Sequence, residues 1–305
     1  MDVFSQFTPE LDSAWNDAFS RDSNKFPFYI KQWHTQWLSS LSENEQPMII
    51  ADVPTHVLIP LAVKNGIAHF SGGEEISDYL DAIGPEQAKA SLWRKALDVI
   101  AMQGAKLLVL RNIPQNSASL SFFSSHKGAM IEKEDTTPIV VLPGTFEEYL
   151  IGLDRKNRHE LKRKVRKFEA THSPITITHA TDMDLLLRLM KRDADKSHFL
   201  SDSMQRFFQN LPDTLDDTLT QFTLDVSGVV VATAVTFRTR DGLLLYNSGY
   251  NEAYVGAGFY LKAKMVEWAI LNGITVFNFL QGDERYKYEL GGKDFFVYKV
   301  TIKIP

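Results

Sequence analysis

The chain has 305 residues, 44% apolar and 23% charged, which is enough for two buried cores and incompatible with a disordered tail protein. It contains no cysteine, so disulfide frameworks, thiolate zinc sites and a cysteine nucleophile are excluded. The formal net charge of −5 argues against a general nucleic-acid binder, DNA included. No apolar run reaches the length of a membrane span, and the N-terminus lacks a signal-peptide pattern, so a cytoplasmic protein is expected.

In chain order, helical periodicity first appears at residues 9–19 and 29–41. Residues 57–70 then read as strand, 71–79 as a turn segment, 92–103 as a helix and 107–110 as a buried strand. A boundary is expected within residues 133–143, giving domains 1–138 and 139–305. Helical stretches follow at 146–170 and 182–211, with Pro212 near the end of the second. Residues 229–237 and 243–250 are strand-like, 261–272 helical, and 274–279 a last buried strand. On that helix Leu261, Met265, Trp268 and Leu271 share an apolar face, with Lys262, Lys264 and Glu267 largely elsewhere.

The chain repeats itself. Asp52-Val53 and Asp225-Val226 each precede two strands, an aromatic-ended segment, a helix, a glycine and a buried strand. The interval from Asp52 to Gly104 is 52 residues, and from Asp225 to Gly273 it is 48. Two homologous units are therefore expected, each a mixed, mostly antiparallel sheet flanked by helices, in the α/β (α+β) class.

The copies differ where their long helices begin. The second enters through Gly256-Ala257-Gly258-Phe259, whose amides and helix dipole suit a phosphate. The first enters through Gly84-Pro85-Glu86, which removes an amide and adds a negative charge. The second copy is thus the expected diphosphate site, and the first a degenerate copy. Eight of the fourteen residues in 154–167 are cationic, with Arg155, Arg158, Lys162 and Arg166 recurring on one helical face. After the last buried strand comes Gln281-Gly282-Asp283-Glu284-Arg285-Tyr286-Lys287. For acyl transfer, Asp283 or Glu284 offers a path for the nucleophile's proton, and Tyr286 and Lys287 offer charge stabilisation or leaving-group protonation. The eight histidines show no ligand spacing, and no metal centre is expected.

These pieces together resemble the GNAT acyltransferase superfamily. The likeness is greatest to the tandem-GNAT branch with CelD-like or BioF-like acetyltransferase domains, kin to the FemAB peptidyl transferases. It is carried by Pro27-Phe28-Tyr29, Trp33, Trp37, Asp78-Tyr79-Leu80-Asp81, residues 149–153, the basic run, Ser248-Gly249-Tyr250, Gly258, and residues 279–287. The resemblance implies acetyl-CoA or another acyl-CoA as donor. Its pantetheine arm would lie between splayed strands at Asn247, Ser248, Gly249 and Tyr250, and its diphosphate at Gly256, Ala257, Gly258 and Phe259. Direct transfer to a small-molecule or glycan acceptor, at an amine or hydroxyl, would follow, with Asp78, Tyr79, Asp81, Arg155, Arg158 and Lys162 as substrate contacts. Ala253 stands where the superfamily has Gln or Arg three residues before the first glycine. A FemAB-like transferase drawing on aminoacyl-tRNA, and a non-catalytic GNAT-fold binding protein, are the alternatives.

Overall fold

The structure, a computed structural model, describes residues 1–42 and 44–304. It divides into two compact units, one of residues 1–136 with 296–305 and one of residues 137–295. The chain thus returns to the first unit at its end, whereas the sequence reading assigned everything after residue 138 to the second. Among the described residues no helix is long and apolar enough to cross a membrane.

The first unit runs β1 (Asp2–Phe4), α1 (Pro9–Arg21), α2 (Lys31–Ser40), β2 (Gln46–Asp52), β3 (Val57–Lys64), β4 (Ile67–Phe70), α3 (Glu86–Met102), β5 (Leu107–Pro114), α4 (Ala118–Ser124) and β6 (Met130–Thr136). Its sheet has the order β1-β2-β3-β4-β5-β13-β6, in which β13 is the chain's last strand (Phe296–Lys303). Only β4 and β5 pair in parallel, and α3 makes the crossover between them. Val300 and Ile302 of β13 complete a core with Ile59, Leu92, Trp93 and Leu108, which is why this strand belongs here.

The second unit runs β7 (Ile139–Val141), α5 (Phe146–Gly152), α6 (Arg155–Thr171), β8 (Ile175–Thr178), α7 (Met183–Met190), α8 (Ala194–Phe199), α9 (Asp202–Gln209), α10 (Leu211–Leu215), β9 (Leu219–Val226), β10 (Val229–Arg238), β11 (Gly242–Tyr250), α11 (Ala257–Leu271), β12 (Val276–Asn278) and α12 (Arg285–Glu289). Its sheet, β7-β12-β11-β10-β9-β8, repeats the first plan. Again one pair is parallel, β11 with β12, and a long helix, α11, links the two strands. The β2-β3-β4-α3-β5 and β9-β10-β11-α11-β12 series are the duplication read from the sequence.

Local capping divides the long helical stretches. Residues 146–170 form two helices because Leu153 is extended and Asp154 restarts the chain as an N-cap, accepting from the Asn157 amide at 2.9 Å. Residues 182–211 break at Asp193 and Ser201, each of which caps a new helix. The terminal strand predicted at 274–279 pairs only over Val276–Asn278.

Candidate active site

Strands β11 and β12 are in register from Gly242↔Val276 to Leu244↔Asn278 and then part. A bulge on β11 follows at once: Leu245 faces Thr236 and Asn247 faces Val235, which leaves Tyr246 between them. From that point β11 pairs only with β10, so its edge toward β12 carries no ladder over residues 245–250. Because β12 ends at Asn278, Asn247, Ser248, Gly249 and Tyr250 lie beyond its pairing with β11.

Helix α11 begins beside the end of β11. Gly256, at φ 93°, forms its N-cap, no side chain caps it, and the Gly258 and Phe259 amides meet no acceptor among the described residues. The two glycines have separate reasons. Gly256 occupies the left-handed region, which an L side chain resists. A Cβ at Gly258 would stand 3.1 Å from Cδ1 of Tyr250, so this glycine admits the Tyr250 ring. Lys164 of α6 lies 4.3 Å from the ring centroid of Phe259 and pairs with Glu289, bringing a cation to the open turn. The first copy also starts its helix without a side-chain cap, and the Glu86 and Gln87 amides meet no acceptor among the described residues, so the two starts differ in residue type rather than in free amides. Pro85 stands at the N-cap of α3, and Glu86 lies in its first turn, accepting from the Ala118 amide.

Past β12, Leu280 (φ 56°) and Gly282 (φ 107°) fold the loop back on itself. Lys287 is buried, and its Nζ donates to the carbonyls of Leu280 (3.1 Å), Gln281 (2.5 Å) and Gly282 (3.0 Å). It also pairs with Glu284 at 2.8 Å. Burial would raise the Glu284 pKa, but the Lys287 hydrogen bond and charge outweigh it, and the carboxyl is held below its usual range. Burial drives the Tyr286 hydroxyl well above the ordinary tyrosine range, so it stays protonated. Asp283 is exposed.

Two site residues escape a sequence reading. Lys262 of α11, assigned to the polar side of its helix, is only 6% exposed, while Leu271, assigned to the apolar face, is 76% exposed. The Nζ of Lys262 sits 4.7 Å from the Tyr286 ring centroid, and no hydrogen-bond acceptor meets it among the described residues. Burial and the charges of Lys196 and Lys287 lower its pKa to about 7, with Glu284 opposing. Lys196 of α8, half-buried, donates to the Ser248 carbonyl at 2.6 Å, and burial lowers its pKa too. The one signal available in sequence was a lysine at a helix position flanked by Leu261 and Ala263, both of which prove buried.

Residues 155–288 match the family model described as an acetyltransferase (GNAT) domain. This unit is a GNAT domain. No curated protein matches the chain by sequence. Among solved structures, a conserved protein of unknown function from Bacteroides thetaiotaomicron VPI-5482 superposes with a TM-score of 0.68, at 12% identity over 99% of this chain and 100% of that one. FemX does so at 0.63, with 10% identity over 99% and 97%. A tandem GNAT protein from the clavulanic acid biosynthesis pathway does so at 0.54, with 10% identity over 99% and 98%. At such identities the likeness is one of fold, and it extends the GNAT architecture to both units.

The remaining expected substrate contacts sort by burial. Tyr79 and Asp81 are interior residues of the first unit, a correction to their expected role. Tyr79 stacks on Phe26 at 4.3 Å, and Asp81 accepts from Lys89 (2.8 Å), Ser117 (2.6 Å) and the Ala82 amide (2.8 Å). Asp78 is half-buried beside them in sequence. In the GNAT domain Arg155 and Lys162 are exposed, whereas Arg158 turns back to the Ile151 carbonyl at 3.1 Å.

Proposed function

We propose that the GNAT domain transfers an acyl group from acetyl-CoA or another acyl-CoA directly to an amine or hydroxyl of a small-molecule or glycan acceptor. The reading is carried by the first turn of α11, with two amides that meet no acceptor among the described residues. That turn stands beside Tyr250, at the end of β11 that lies beyond its pairing with β12. A diphosphate would take those amides and the field of Lys164, and the thioester arm would run along the free edge of β11. The acceptor's nucleophile attacks the thioester carbonyl carbon, the C–S bond breaks, and the nucleophile's proton leaves. Glu284, ionised at neutral pH, and exposed Asp283 are the carboxylates at hand to receive that proton. Tyr286, which stays protonated, can hydrogen-bond the departing thiolate while the thiolate takes its proton from solvent, and Lys287, fixed by three carbonyls, sets a stationary positive charge.

Thermal unfolding with acetyl-CoA and longer acyl-CoAs tests this directly. Micromolar affinity should stabilise the protein by about 3 kcal/mol at a hundredfold excess over Kd. No stabilisation by any CoA ester would remove the donor from the proposal. One observation favours aminoacyl transfer from tRNA instead: Arg155, Lys156, Lys162, Arg166 and Lys167 are exposed with no acidic partner among the described residues. That reading requires tRNA affinity that falls steeply with salt.

A further inference from the structure

Three lysines come together from separate elements: Lys196 of α8 at the Ser248 carbonyl of β11, Lys262 of α11 over the Tyr286 ring, and Lys287 of α12 in the loop of residues 280–282. Glu284, which already pairs with Lys287, acts on all three, and Asp193 acts on Lys196 as well. Lys287 has acceptors in excess of its three protons, and Lys196 has the Ser248 carbonyl. Lys262 lies over the face of Tyr286 and makes no hydrogen bond or ion pair among the described residues, with Glu284 as its source of opposite charge. A buried ammonium without a counter-charge is unstable, and it is relieved either by losing its proton or by receiving an anion.

We propose that Lys262 and Lys196 form a receptor for an oxyanion group of the substrate, phosphate or carboxylate, held between Ser248 of β11 and the loop of residues 280–287. The site rests on the acyl-CoA reading only for which molecule carries the anion. Without a ligand, Lys262 sits among Lys196, Lys287, Glu284 and Tyr286, where its proton is easily lost. An arriving anion supplies the missing counter-charge, and Lys262 takes up a proton to meet it. Binding is therefore coupled to protonation of one identified amine.

Calorimetry on the full chain tests this with pyrophosphate, succinate, CoA, butyryl-CoA and succinyl-CoA, in buffers of different ionisation enthalpy. At about pH 8 the wild type should take up close to one proton per bound anion. Lys262→Met should abolish the uptake and weaken binding at least about tenfold, with an unchanged or raised melting temperature reporting an intact fold. Equal losses for pyrophosphate, CoA and butyryl-CoA assign the anion to the donor's phosphates. A loss confined to succinate and succinyl-CoA assigns it to a carboxylate on the acyl group. If no CoA ester binds, the acyl-CoA reading fails, while pyrophosphate and succinate still test the receptor. Proton uptake and affinity left unchanged by Lys262→Met in every arm would overturn it.

Discussion

Lys89 and Lys262 are both buried lysines on the long crossover helices of a duplicated fold, and their surroundings are opposite. Lys89, fully buried in the first unit, is met by Asp81 at 2.8 Å, Glu86 at 2.5 Å and Asp22 at 3.5 Å. Burial alone would lower its pKa, but the charges of Asp81, Asp22 and Glu86 raise it above the ordinary lysine value. Lys262 is buried with two like charges and one opposing carboxylate, and its pKa falls. Where acids surround the lysine, the charge is an internal structural tie and the neighbouring helix start carries the negative charge of Glu86. Where they are missing, the cation lies over a ring instead. Duplication supplied two similar scaffolds, and side-chain electrostatics separated an acid-paired lysine from one without an ion-pair partner among the described residues.

The largest effect expected from this contrast is on Lys89. Replacing it by Met strands Asp81 and Asp22 without a cation and should cost about 3–5 kcal/mol in denaturant unfolding. Lys262→Met should cost nothing or stabilise, because it removes an uncompensated charge. Comparable losses in both variants would break the comparison.

A smaller effect concerns pH. Between about 7 and 10.5 the unfolded chain binds a proton at Lys262 that the folded protein does not, so stability should rise with pH across that window. The slope is at most about 1.4 kcal/mol per pH unit for one group. Lys196, also lowered, acts with the same sign. Lys89, with its raised pKa, contributes stability that is complete below 10.5 and is lost only above that value. Lys262→Met should flatten most of the rise, and an unchanged slope would show that Lys262 keeps its proton.

The smallest effect lies at the helix start. Gly256→Ala forces a side chain into the left-handed region and should cost about 1 kcal/mol, lowering the affinity for CoA by misdirecting the amides of α11. The same substitution at Gly104, also at positive φ but with open space around it and no proposed ligand, should give a similar stability loss and no binding change.

Much of the architecture follows from local pattern. The repeat, the order of strands and helices, the contrast between Gly256-Ala257-Gly258 and Pro85-Glu86, and the cationic face of α6 are all functions of residue type and spacing, which the linear chain carries in full. Long-range packing decided the rest. The pairing of β13 with β5 and β6 depends on which core receives Val300 and Ile302. The interior places of Tyr79 and Asp81 depend on Phe26, Lys89 and Ser117, all distant in sequence. Lys262 is the sharpest case. Periodicity assigns a lysine to the solvent side because exposure normally costs it nothing. The Tyr286 ring, brought over that side of α11 from a distant part of the chain, helps make it a buried amine, since burial belongs to the assembled neighbours and not to the residue.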